Sequence, residues 1–180
     1  MKNTSDKLLQ TLYEKAINLI FQKFEKYNGS VVKFFTSYDT DFFQREVAPG
    51  KNRASYLLGH LVVANDELFN FLGLGSALYP ELLDLYFSAD RAYPDGDLPG
   101  IPQLLDKFRH VNSELRKQFA QIPLDAWMDK HELVSPEAFE ADPSRTKLSV
   151  LLNRVLHLEH HLGQLYLMPS PFEVPRKNIG

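Results

Sequence analysis

Cysteine is missing from this chain of 180 residues. Its absence excludes disulfides, thiolate zinc sites and cysteine nucleophiles, and it leaves histidine, aspartate and glutamate as the metal-holding side chains. An excess of either charge is missing too. The 20 Lys and Arg stand against 23 Asp and Glu, for a net charge of −3, and neither sign forms a long block. A nucleic-acid-binding surface shows as a basic excess or stripe, so no nucleic-acid partner is expected. No apolar run reaches the ~18 residues that a membrane-spanning helix needs, so no membrane crossing is expected. The start, MKNTSDKLLQ, is too polar for a secretory signal. A cytoplasmic protein fits these absences. Alternating strand patterns, internal repeats and low-complexity tracts are also lacking.

What the chain does contain is helical periodicity. Its length and 44% hydrophobic content suit one domain, residues 1–180, large enough to bury a core. Apolar residues recur at three and four over 6–27, with Thr4 or Ser5 to cap the start and Asn28-Gly29 to end or bend the helix. The pattern resumes at Val31, Val32, Phe34 and Phe35, so this helix can continue past a kink. A second helix is predicted over 53–72, with Asn52 as cap and Gly73 as stop. A third is predicted over 102–122, between Pro102 in its first turn and Pro123. The fourth, over 147–167, follows Ser144 and Thr146 and ends at Pro169. The connections near 37–52, 73–100 and 123–146 hold most of the Gly and Pro and exceed what tight antiparallel turns need. The fold class is therefore all-α, a four-helix bundle with long inter-helix connections.

Residues 157–165 read HLEHHLGQL, so half of the six histidines fall within five positions of a leucine-rich segment. A buried imidazole without a partner costs about 1–3 kcal/mol. His157 and His161 lie four apart, about 40° from each other on one helix face, where two rings can reach one metal ion. The same spacing suits an exposed histidine edge or core histidines bonded to carbonyls. Asn153 and Gln164 extend the polar ridge in both directions. His160 sits off that face, as a neighbour of the site or as helix surface, and Glu159 points away.

A third ligand must come from another helix, and the candidate is His60, alone among Leu57, Leu58, Leu61 and Val63. The alternative is a satisfied core histidine. Glu67, two turns on, shares its face and could orient a ligand or line a pocket, or stand on a charged rim. His110 lies in a charged, solvated stretch, and His131 on a loop that could fold over a site.

Together these residues resemble the DinB-like (DinB/YfiT) superfamily of metal-dependent enzymes over nearly the whole chain. VAPGKNRASYLLGHLVVANDELF is similar to that family's second-helix start, with a Pro-Gly turn, a polar cap, a histidine and an acidic residue downstream. SVLLNRVLHLEHHLGQLYLM is similar to its last-helix signature, HxxxH followed by x-Gly-Gln. The resemblance implies a three-histidine site for a divalent cation at His60, His157 and His161. One departure is Leu162, where many members have arginine in HRGQ; if that arginine binds an anionic group there, this chain lacks it. Gly163 and Gln164 match, glycine allowing close approach of a neighbouring helix and Gln164 falling on the ligand face.

Three neutral imidazoles leave the ion its full charge and an open position, the arrangement of catalytic sites, and suit Zn, Ni, Fe, Co or Mn. The resemblance implies an enzyme, a thiol-dependent S-transferase or a hydrolase, that activates a thiol or water for attack on an electrophile. Its substrate would be a small molecule, with a low-molecular-weight thiol as partner. Glu67, Gln164 and Asn153 are the candidates for catalytic assistance. Trp127 or Phe139 could cover the substrate or pack on the bundle. The alternative is a non-catalytic metal- or ligand-binding module, such as a dimeric stress or scaffold protein; the aromatic stretch 78–94 could supply an interface for a homodimer or equally cap the bundle.

Overall fold

The computed structural model describes residues 4–87 and 98–169, and among them every regular element is a helix. The four longest are α1 (Thr4–Phe35), α2 (Ala54–Asp66), α5 (Ile101–Phe119) and α7 (Lys147–Tyr166). Shorter ones are α3 (Leu68–Leu72), α4 (Leu83–Tyr86) and α6 (Pro136–Ala141), and single 3₁₀ turns occupy parts of the connections. Among the described residues, extended pairing is confined to two isolated bridges, Glu46 with Arg53 and Lys130 with Thr146.

α1 runs unbroken through Asn28-Gly29. A mid-helix glycine costs about 1 kcal/mol relative to alanine, but Ile17, Phe24 and Val31 bury one continuous seam on both sides of it. Asn28 is itself held, because Asn65 on α2 donates to its Oδ1 at 3.0 Å and to Asn112 Oδ1 on α5 at 2.8 Å. This buried amide cluster ties three helices at one level, and unpaired alternatives in an apolar core are costly.

α2 is buried nearly all round, from Ala54 and Leu57 through Ala64 to Asp66. The helix expected over 53–72 is divided at Glu67, and the expected cap at Asn52 is instead Arg53 in extended conformation, without a side-chain cap bond. Gly73, at φ 72°, ends α3 in the left-handed region as anticipated. α5 stops at Phe119, three residues before the expected end, and Pro102 does lie in its first turn. Thr146 caps α7 by accepting from the Ser149 amide at 3.1 Å. Leu151, Val155, Leu158, Leu162 and Leu165 form the buried stripe of α7.

α1 packs on α7 and α5, and α2 packs on α5 and α7, so the four long helices close a ring around one core. The connection after α3 folds back on α2. Buried Asp66 holds it by accepting from the amides of Leu78 at 2.8 Å and Tyr79 at 2.7 Å. α4 then lies directly on α2, because Gly59 leaves room for the Tyr86 ring. Of the stretch 78–94, residues 88–94 lie outside the described residues, and Tyr86 is core rather than interface.

Candidate metal centre

His60 is placed by the middle of α2, and His157 and His161 by consecutive turns of α7. The adjacency of these two helices brings residues 97 positions apart together. His157 Nε2 lies 3.0 Å from Nε2 of His60 and 3.0 Å from Nε2 of His161. The three offer ligand atoms all within 4.8 Å of one another. Imidazole nitrogens bound to one divalent ion at about 2.0–2.1 Å stand about 3 Å apart, so the donor set fits a single ion.

Two of the rings are oriented from behind. His60 Nδ1–H donates to the Tyr86 carbonyl at 2.9 Å, and His161 Nδ1–H donates to Gln164 Oε1 at 2.9 Å. Each bond puts the ring proton on Nδ1 and turns a lone pair on Nε2 toward the common point. Gln164 also donates from Nε2 to His160 Nε2 at 3.0 Å, so exposed His160 steadies the orienting amide. His157 differs, because its Nδ1 faces Arg154 Nη1 at 3.3 Å. Arginine only donates, so this ring nitrogen accepts.

All three rings are half-buried, and burial lowers the pKa of each. Burial, then the Arg154 charge and the neighbouring rings, push His157 down to about 3. Burial pushes His161 down to about 4 against its bond to Gln164. Burial also lowers His60, opposed by the Tyr86 carbonyl and aided by the Arg154 charge. Neutral imidazoles at neutral pH are what ligation needs.

A cleft of about 530 Å³ opens beside the centre, lined by Glu67, Phe71, Leu83, Asp84, Phe87 and Leu133. It meets the centre at Phe87, whose ring stacks on His60 at 5.8 Å and 23°. Glu67 stands on the cleft wall, where both carboxylate oxygens accept from Asn70 at 3.2 Å. Asn153 is exposed on α7, one turn before His157. Trp127 is core, edge-on to Phe21 and Phe119, and covers no substrate. His131 is buried against Phe71 rather than folded over the site, and exposed His110 bonds the Tyr79 hydroxyl at 2.7 Å. Gly163 faces open space, so it admits no neighbouring helix. Leu162 is buried, and the guanidinium near the centre comes from Arg154 instead.

Gly59, Tyr86, Phe87 and Arg154 escaped the sequence reading. Gly59 beside His60 signals a close backbone approach, and Arg154 lies one turn before His157. Nothing local marks the Tyr86 carbonyl.

An all-helical ring with three convergent imidazoles defines the class: a helical protein with a candidate tridentate metal centre. The sequence profile of the DinB superfamily matches residues 24–165, and the chain belongs to that superfamily. Comparison with curated proteins finds no match.

Proposed function

We propose that the protein is a metal-dependent enzyme of the four-helix-bundle DinB kind, a thiol-dependent S-transferase or a hydrolase acting on a small molecule in the cytoplasm. The observation that carries this reading is the convergence of three Nε2 atoms beside a cleft. Among the described residues no fourth histidine or carboxylate joins the group. Structural zinc sites are closed by four protein ligands, whereas catalytic ones keep a position for water or substrate. A divalent cation held by His60, His157 and His161 would supply Lewis acidity that lowers the pKa of a thiol or water. The chain's own residues do the rest. The Tyr86 carbonyl and Gln164 hold two ligand rings, while Phe71, Phe87 and Leu133 offer an apolar seat and limit water. Glu67 is the carboxylate placed to take a proton from a ligand in the cleft, provided that ligand lies within hydrogen-bond reach.

A second reading, a dimeric metal-binding scaffold, is favoured by the exposed leucines 8, 9, 12 and 19 along α1. No helix among the described residues is long and apolar enough to cross a membrane.

The deciding experiment is the metal content of untagged protein purified without added metal, beside His60→Ala and His157→Ala. One equivalent of Zn, Ni, Fe, Co or Mn in the wild type, lost in both variants, is expected. No bound metal, and no uptake from that panel, would overturn the enzyme reading.

A further inference from the structure

A second cavity, of about 360 Å³, opens between α1 and α5, across the helix ring from the candidate metal centre between α2 and α7. Its size is that of a small-molecule site. Phe108 and Val32 give it an apolar wall, and buried Asn28 and Asn112 also line it.

The hydrogen-bond network fixes which way those amides point. Asn112 Nδ2 donates to the Phe108 carbonyl at 2.8 Å, so its Oδ1 is the atom that accepts from Asn65 Nδ2 at 2.8 Å. Asn65 Nδ2 gives its second proton to Asn28 Oδ1 at 3.0 Å. Asn28 is left with its Nδ2, a nitrogen carrying two protons, buried and without an acceptor. Asn65 Oδ1 also lacks a partner, but Asn65 is fully buried and is not on the lining, so a ligand does not reach it. A buried donor calls for an acceptor.

The surrounding charge says which kind. Along α5, Arg109 and Arg116 stand one turn before and one turn after Asn112, and Glu25 is the carboxylate on the lining. Glu25 is taken up by Arg116 in an ion pair. Arg109 pairs with Asp106 at 3.3 Å within one helix, and both are so exposed that this pair competes weakly. Gly29 lines the cavity too, and a Cβ there would meet nothing within 4 Å. The middle of α1 thus gives up helix propensity where a side chain would narrow the opening.

We infer that this cavity is a second ligand site, independent of the metal centre, for a small carboxylic acid. The carboxylate accepts from Asn28 Nδ2, the Arg109 guanidinium balances its charge, and the apolar body lies on Phe108 and Val32. The exchange of a weak surface pair for a ligand carboxylate is what a guanidinium fork is suited to.

The test titrates ¹⁵N-labelled protein with phenylacetate and with phenylacetamide, which share a shape and differ in charge, following the Asn28 side-chain amide and the Arg109 Nε–H resonances. Phenylacetate should shift both saturably, with an affinity about tenfold or more above phenylacetamide, as a charge-assisted pair implies. Gly29→Leu, which fills the opening with a better helix former, should abolish the shifts while melting no lower than the wild type. Arg109→Gln, a change on the surface, should bring phenylacetate down to the affinity of phenylacetamide and leave phenylacetamide unchanged. Equal affinity for the two probes, or binding that survives in Gly29→Leu, would overturn the inference. So would an Asn28 amide that exchanges with water and is shifted by neither probe up to about 10 mM, the weak end of specific binding, since that nitrogen would then be satisfied by water alone.

Discussion

At position 59 there is no room for even one methyl group beside the element that orients the His60 ring. A Cβ on Gly59 would overlap the Tyr86 ring, and Tyr86 supplies the carbonyl that orients His60. Gly59→Ala should therefore cost about 1–3 kcal/mol through overpacking and weaken metal binding about 10-fold or more through the lost orienting bond. Calorimetric titration with Zn(II), beside thermal melting, checks both. Unchanged metal affinity would show that the carbonyl does not matter. At this scale the HxxxH pair was legible, since helical spacing alone puts His157 and His161 on one face. Asn153 shares that face by periodicity yet is exposed, since periodicity tells which face a residue shares and not how deeply it is buried.

The candidate centre also depends on an element that contributes none of its three histidines. Asp66 at the end of α2 accepts from the Leu78 and Tyr79 amides and so pins the connection that delivers α4 to His60. Burial raises the Asp66 pKa against those two bonds, and the nearby carboxylates of Glu67 and Glu81 raise it a little further. Asp66→Ala leaves both amides without this acceptor, for an expected loss of about 1–3 kcal/mol. Amide exchange should accelerate at Leu78, Tyr79 and Tyr86 while α1 and α7 stay protected. Uniform exchange across the protein, or none altered, would contradict this local role. Helix existence was legible for all four long helices, and boundaries were less so. α1 passes Asn28-Gly29 because the buried amide cluster and the apolar seam outweigh a glycine's cost, and neither is visible in local propensity. α2 divides from α3 at Glu67, although the apolar pattern continues.

Over the whole molecule, four lowered histidines, His60, His131, His157 and His161, link folding to acid. In the unfolded chain each takes a proton near its ordinary value of about 6.5. In the folded protein His157 and His161 resist protonation down to about 3 and 4. The unfolded state therefore binds more protons in that window, and the metal-free protein should lose stability as pH falls below about 6.5, levelling off only near the folded values. Urea unfolding at about pH 8, 6 and 5 should show this decline, and His157→Ala with His161→Ala should flatten it. An equally steep decline in that double variant would place the acid sensitivity elsewhere.

Residue order alone carried the chemistry of the centre and the helical class, because both depend on short-range spacing: an imidazole pair at four, apolar stripes at three and four, and an absence of thiols. His60 stood out as a candidate third ligand by its place on an apolar helix, and the likeness to a family strengthened that choice, since no local rule relates positions 60 and 157. Their meeting, the Tyr86 carbonyl behind one ring and the Arg154 guanidinium behind another are products of packing. They exist only once α2, α4 and α7 bury their apolar faces together, and that free energy is shared across the whole core rather than written in any one segment.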